Sequence, residues 1–219
     1  MSAHFWWMQD WEKKVMVENR KQEAKRRTDQ MVINRGIQAG DKVLDLGCGR
    51  GSLLQLLVQE KQVSALGVDI DSAKVTECVR KGIPVYQGDV DEVLEFFPNH
   101  WFDRVILSRT VEHLQQPGKT IEEALRVGSR VTVGFVNHGF WVNRMNYFLK
   151  GNRTINDVYP DPWYESAPVT LFSLSNFEDF CRNKGIRIHE RVCLDANWKN
   201  ECRFLPNLLS GYIICDISK

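Results

Sequence analysis

Charge of one sign is what the sequence has least of: 29 basic side chains stand against 28 acidic ones, a net +1 over 219 residues. No overall field is available to hold a nucleic acid or an anionic membrane, so either contact would need a local patch. Long apolar runs are also missing. None approaches the ~18 residues of a membrane span, and the start Met1-Ser2-Ala3-His4-Phe5-Trp6-Trp7 lacks the basic-then-apolar order of a secretory leader. The six cysteines form no Cys-x-x-Cys pair and no cysteine/histidine spacing suited to zinc, which argues against a metal site. With no leader, they point to reduced thiols in a cytoplasmic protein. Internal repeats, low-complexity tracts and linker-like stretches are absent as well. At 43% hydrophobic and 26% charged, the composition is that of an ordinary globular domain, with a small molecule or another protein as partner.

From Asp41 onward, short β-rich runs alternate with helical patterns, the sign of a parallel sheet with helices on both faces. The predicted strands are Lys42–Leu46, Ser64–Ile70, Ile83–Gln87, Phe102–Ser108, Arg130–Val136, Ile186–Leu194 and Tyr212–Ile217. Most are continuously apolar, as strands buried on both faces are. Ser52–Glu60, Ser72–Lys81 and Thr120–Val127 read as crossover helices. Asp71 or Ser72 can cap the second and Gly82 can end it, while Asn176–Lys184 reads as a helix behind the cap Ser175, stopped by Gly185. Residues 1–36 stand apart as a helical extension, with a Met8, Trp11, Val15 stripe and a charge run from Asn19 to Arg27; the favoured reading is a helix packed on the sheet with a solvated basic face, the alternative a lid or docking surface made by Trp6, Trp7 and Trp11. The remainder, 37–219, forms one domain with an insertion at about 137–170.

Between the first strand and its helix lies Asp45-Leu46-Gly47-Cys48-Gly49-Arg50-Gly51. Glycine permits a tight turn with positive φ and lets backbone approach a ligand with no Cβ in the way, and the following helix N-terminus offers free N–H groups. A dinucleotide fingerprint fits poorly, because Ser52 occupies its third glycine slot and Gly51 comes one place early. A phosphate loop fails too, since Leu53 and Leu54 follow where its lysine is needed.

Asp-x-Gly-x-Gly-x-Gly instead resembles the first motif of class I methyltransferases dependent on S-adenosylmethionine (SAM). The resemblance implies that Asp45 and the backbone of Gly47, Cys48, Gly49 and Gly51 surround the methionine moiety. Asp69, at the end of the second strand about 20 residues on, suits the two ribose hydroxyls, with Ile70 beside the adenine. Asp89, followed by Val90, ends the third strand and in such enzymes approaches the adenine amino group; a helix cap is its plainer role. Ser108 ends the fourth strand and would border the cofactor, so four strand ends converge on one crevice.

A closer likeness covers Lys42 to Asp195. Val43 to Gly49, Gln87-Gly88-Asp89-Val90-Asp91-Glu92, Phe102 to Ser108, Leu125-Arg126-Val127-Gly128, Asn137 to Trp141 with Arg144, Trp163-Tyr164 and Phe177 to Cys181 together resemble the methionine biosynthesis protein MetW family. This implies a Rossmann-like class I methyltransferase fold of the α/β class, with a seven-stranded, mostly parallel sheet whose last strand is antiparallel. It also implies a place in methionine biosynthesis, with either methyl transfer to a small molecule or an accessory, regulatory role beside a homoserine O-acyltransferase. Glu112-His113 replaces the more usual polar pair of that family, and Thr170 stands where histidine is frequent.

Methyl transfer is an in-line displacement with the leaving group already activated, so positioning does much of the work and a base is needed only to take a proton from the acceptor. His113 is the candidate base, since it follows the fourth strand and titrates near neutrality, and Glu112 can orient it or act in its stead. No Asn-Pro-Pro-Tyr-like segment and no Pro-Cys nucleophile is present, which disfavours methylation of nucleic acid. The insertion, with Trp141, Arg144, Tyr147, Arg153, Trp163 and Tyr164, is expected to cover the crevice. His138 and the Cys48 side chain are read as packing.

Overall fold

The computed structural model describes residues 22–32, 36–151, 164–165 and 168–219. Among these, a seven-stranded sheet runs β3 (Val85–Gln87), β2 (Ser64–Asp69), β1 (Lys42–Leu46), β4 (Phe102–Ser108), β5 (Gly128–Val136), β7 (Tyr212–Ser218), β6 (Arg187–Leu194). All pairings are parallel except those of β7, which lies antiparallel between β5 and β6. This is the expected Rossmann-like methyltransferase arrangement. The order reverses between β1 and β4, so their C-terminal ends open onto the crevice where such sheets bind ligands.

Helices cover both faces because the strands carry apolar side chains on both. Leu44, Leu46, Val105, Leu107, Val131 and Val133 pack with α4 (Val90–Leu94), α5 (Pro117–Val127) and α7 (Leu174–Asn183). Val43, Ala65, Ile106 and Ile214 pack with α1 (22–32), α2 (Ser52–Lys61) and α3 (Ser72–Arg80). Neighbours along a strand thus serve opposite cores, the period-two rule of a pleated sheet. On the α1 face a buried polar group interrupts the apolar core. Arg104 donates to Asp216 at 2.7 Å, to Thr132 at 3.3 Å and to the Gly36 carbonyl at 3.1 Å, and Arg130 also pairs with Asp216. The segment leading into β1 is thereby tied to β4 and β7, a contact between distant residues that no local pattern announces.

Several boundaries differ from the sequence reading, each for a local reason. β3 starts at Val85 rather than Ile83, because the Ile83 amide closes on the Cys78 carbonyl at 3.0 Å and finishes α3. The α7 cap is Ser173, not Ser175. Extended backbone at Ser173 sets its hydroxyl against the Asn176 amide, and the Asn176 side chain returns to the Ser173 amide in a capping box. Ser175 accepts instead from Asn207 at 2.7 Å. α3 is capped by Asp71, whose carboxylate accepts from the Ala73 and Lys74 amides. Three short elements had no strong periodicity to reveal them: α4, a 3-10 turn Val111–His113, and α8 (Pro206–Leu209). A longer one, α6 (Trp141–Lys150), occupies the start of the insertion. The Met8, Trp11, Val15 stripe lies outside the described residues, as do Arg153 and Trp163 of the insertion.

Candidate functional site

Alternation along β1 decides what the crevice is made of. Val43 faces the α1 and α2 side, so Asp45, two residues on, points the same way and is buried beneath those helices at 3% exposure. Beyond Leu46 the chain turns sharply. The Gly47 and Cys48 amides both donate to the Val68 carbonyl, at 2.8 and 3.0 Å. The Gly49 amide donates to Asp69 Oδ2 at 2.8 Å, and its carbonyl accepts from the Cys78 thiol at 3.2 Å. The two peptides flanking the Gly49 Cα are therefore fastened, one from β2 and the other from α3. Asp69 Oδ1 accepts from the Asp71 amide at 3.0 Å, with the Lys74 ammonium 4.0 Å away.

Two glycines in the turn have separate reasons to be glycine. At Gly47, φ is +76° and a Cβ would run into Thr110, whose hydroxyl donates to the Leu46 carbonyl at 2.9 Å. At Gly49, φ is +59° and the place of a Cβ has no atom within 4 Å, so this backbone forms the floor of an open space. Gly51 precedes α2 and faces inward, toward Ile83 and Cys78. The Cys48 side chain is buried and burial pushes its thiol well up, leaving it inert; its contribution is backbone.

A cavity of about 110 Å³ lies over this floor, bounded among others by Lys25, Asp45, Gly47, Gly49, Ser108 and Arg109. Its electrostatics are set by a cluster absent from the sequence-level candidates. Arg109 has φ +59° and its amide donates to the Gly134 carbonyl at 2.8 Å. Its guanidinium donates to Thr28 at 2.9 Å and to Asp29 at 3.1 Å, holding α1 over the crevice. Burial pushes the Asp45 carboxyl up to about 7, and the nearby Asp29 adds to this while Arg109 and Lys25 oppose it. Burial, followed by Arg109, lowers the Lys25 ammonium. Lys25 belongs to the charge run read as a solvated face; it is half-buried and turned to the cavity. What is corrected is the solvated face alone: with α1 packed on the sheet, Lys25 is turned to the crevice rather than to solvent.

The remaining candidates surround the same strand ends. Ile70 is 68% exposed just past β2. Asp89 caps α4, accepting from the Asp91 amide at 2.9 Å, and Val90 is buried as the first residue of that helix. Ser108 and the Tyr212 hydroxyl are 3.4 Å apart. Glu112 and His113 part company. Glu112 is buried, with Oε1 accepting from the Val136 amide at 2.7 Å and its carbonyl from Thr170 at 2.8 Å, whereas His113 is exposed. Partial burial, then the Lys74 ammonium, lowers the imidazole. Trp141, Tyr147 and Tyr164 of the insertion are exposed, and Arg144 donates to the Gly139 carbonyl at 2.7 Å. A larger cavity of about 330 Å³ lies along β6, the outermost strand, away from the β1 and β4 ends, and holds none of these groups. Among the described residues no helix is long and apolar enough to cross a membrane, and no cluster of His, Cys, Asp and Glu suits a metal.

Comparison with known proteins agrees with this arrangement. Residues 27–217 match the family described as methionine biosynthesis protein MetW. A bifunctional methionine biosynthesis protein MetXA/MetW from Rhodopirellula baltica is 25% identical over 170 residues, covering 74% of this chain and 27% of that protein. The 27-O-demethylrifamycin SV methyltransferase of Amycolatopsis mediterranei is 28% identical over 121 residues, covering 50% of this chain and 43% of that one. The chain thus spans less than half the length of these curated relatives. Among solved structures, the magnesium protoporphyrin IX methyltransferase of Synechocystis with bound SAH superposes with a TM-score of 0.67 at 16% identity, over 92% of this chain and 86% of that one. At that identity the likeness is one of fold.

The raised Asp45 carboxyl has a measurable consequence. An aspartate whose folded value exceeds its unfolded one stabilises relative to ionised burial only while protonated, so stability is lost as pH rises from about 4 toward 7. Asp45→Asn removes that loss. In urea titrations the variant should gain on the wild type across this window by on the order of 2 to 4 kcal/mol and hold a constant lead above it. A difference independent of pH would show that Asp45 is not held protonated by its surroundings.

Proposed function

The chain belongs to the methionine biosynthesis protein MetW family, and on that premise we propose that it binds SAM over the glycine turn and transfers a methyl group to a small molecule. The observation that carries this reading is the open floor at Gly49, flanked by the carboxyl groups of Asp45 and Asp69 at the β1 and β2 ends. Such a cradle fits the cofactor: a backbone surface clear of side chains, with an acidic group at either end.

Asp69 uses one lone pair of each oxygen on the Gly49 and Asp71 amides. A carboxylate has about four such sites, so two remain for the ribose hydroxyls. Ile70 offers an exposed apolar surface for the adenine, with Asp89 and Val90 at the neighbouring strand end. Gly47, Cys48 and Gly51 shape the turn, and Ser108 borders the cavity. When bound, SAM supplies an activated methyl group. His113, lowered below its ordinary value, is neutral at pH 7 and able to accept the acceptor's proton. Glu112 works from behind, since its carboxylate holds the Val136 amide and so fixes the turn that presents His113.

A second reading has its own support. The bifunctional relative unites MetXA and MetW in one chain, of which the matched part is 27%. In this reading the chain is an accessory partner of a homoserine O-acyltransferase and SAM regulates the contact. Co-purification with and without SAM tests it, and failure of a complex to form in both conditions would sink it.

For the first reading, calorimetry of SAM with the wild type and Asp69→Ala should show a loss of about 1 to 3 kcal/mol, the scale of hydrogen bonds to a charged group. Unchanged affinity would remove Asp69 from the site. An acceptor screen with tritiated SAM at high enzyme concentration should label a small molecule, and binding without any labelling would leave the accessory reading in its place.

A further inference from the structure

We propose that Cys193 and Cys202 are a redox-active pair, a modification site at which a low-molecular-weight disulfide is reduced while the two thiols join across the base of the hairpin that follows β6. The site lies at the outer edge of the sheet and does not depend on what the crevice binds. The two cysteines are too far apart in sequence to form a Cys-x-x-Cys motif, and the fold brings them opposite each other.

After β6 the chain turns back on itself. The Asp195 carboxylate gathers the turn, accepting from the Asn197 and Lys199 amides at 3.1 and 2.9 Å and from the Asn200 side chain at 2.8 Å. Glu201 then lies antiparallel to Leu194. On either side of that pair the Asp195 amide donates to the Asn200 carbonyl at 2.9 Å, and the Cys202 amide to the Cys193 carbonyl at 2.7 Å. Cys193 and Cys202 are therefore the next opposed residues of an antiparallel ladder. At such a hydrogen-bonded position the Cα atoms are about 5.5 Å apart and both side chains share a face, and a disulfide spans Cα separations of about 4.4 to 6.8 Å. Both side chains line the same cavity of about 330 Å³.

Accessibility assigns the two roles. Five of the six cysteines are buried, and Cys202 alone is partly exposed. Burial raises the Cys193 thiol, Arg191 opposes the shift and the adjacent Cys202 adds to it, so Cys193 rests protonated. Cys202 therefore meets the oxidant first. Its thiol donates to the Phe204 carbonyl at 3.3 Å, a bond given up as its thiolate attacks one sulfur of the incoming disulfide. The oxidant's sulfur to sulfur bond breaks, Cys202 keeps one half as a mixed disulfide, and the other half leaves as a thiolate. Cys193 then gives its proton to water and attacks the Cys202 sulfur, releasing the second half. Two protein thiols are oxidised, one disulfide is reduced to two thiols, and the two protons lost by the protein end on the released thiolates. Proximity favours the second step, since Cys193 already stands opposite. Glu190, Arg191, Glu201 and Arg203 around the cavity supply both signs of charge for a peptide disulfide such as oxidised glutathione. Cys181 and Cys215 share the core of Cys193 but are 1% and 0% exposed, closed to such an oxidant.

The hairpin is joined to the crevice. Trp198, in its turn, packs on Tyr212 with ring centroids 4.3 Å apart, and the Tyr212 hydroxyl lies 3.4 Å from Ser108. A disulfide across the base holds Trp198 against β7 and restrains opening of the hairpin. A reversible pair reached by solvent through one thiol suits redox sensing rather than a structural bridge.

The test is incubation with oxidised glutathione, capping of free thiols with N-ethylmaleimide under denaturing conditions, and mass spectrometry of the intact protein and its peptides. The wild type should lose two of its six cappable thiols, carry no glutathione and yield a peptide pair joined through Cys193 and Cys202. Dithiothreitol should restore both thiols. Cys193→Ser should instead retain one glutathione on Cys202, and Cys202→Ser should keep all its remaining thiols. Amide exchange from Asp195 to Asn200 should slow by roughly tenfold or more on oxidation, as opening of the hairpin is restrained. A wild type that stops at the mixed disulfide on Cys202, joins either cysteine to Cys181 or Cys215, or keeps all six thiols would overturn the pair. A Cys193 to Cys202 link formed with exchange unchanged would uphold the pair and overturn the restraint on the hairpin. Should Cys193→Ser fail to fold, the wild-type thiol count and the joined peptides decide the question.

Discussion

The bond from the Gly49 amide to Asp69 is the constraint on which the crevice depends. It joins the turn after β1 to the end of β2, and the Cys78 thiol completes the grip from α3. Without it, a three-glycine turn would have many conformations available, and ordering them costs about 1 to 2 kcal/mol per residue. Because the tie is made by a buried carboxylate and a backbone N–H, it is of the charge-assisted kind, stronger than a neutral bond. The turn is therefore fixed before any ligand arrives, with its clear face upward and its packed faces against Thr110, Ile83 and Cys78. Preorganisation of this sort lowers the ordering cost of binding.

Above that floor the site is amphoteric, and its two ends differ in kind. Toward β2 and β3 there are Asp69, the exposed Ile70 and the Asp89 cap. Toward β1 and β4 there are Asp45, Lys25, Arg109 and Asp29, drawn together under α1. The fold accounts for the division, since β1 and β4 flank the point where strand order reverses. What the fold does not supply is a reaction. Of the two residues that follow β4, Glu112 is committed to the backbone of β5 and only His113 is exposed. In the proposed reading the sheet provides the cofactor crevice, and the chemistry falls to one imidazole at its rim.

Legibility in the sequence followed the range of the interaction. Strands buried on both faces announce themselves as apolar runs, so all seven were found and β1 and β4 had the right bounds. The glycine turn was equally plain, because tight turn and close approach are demands on local residues. Asp45, Asp69 and Ser108 could be placed because strand ends fix them. Lys25, Asp29 and Arg109 could not. Their meeting joins residues about 80 positions apart, and the charge run containing Lys25 looks like any solvated helix face. The α7 cap went astray by two residues for a smaller reason: Ser173 and Ser175 are both good caps, and only the backbone entering the helix decides between them.

If the proposed reading holds, the turn fastened by Asp69 is the floor of a SAM site. A crystal structure of the protein with S-adenosylhomocysteine tests it most directly. Ribose hydroxyls are expected on the Asp69 carboxylate, with the adenine over Ile70. Ligand seated elsewhere, for instance in the cavity along β6, with the space above Gly49 left empty, would contradict it.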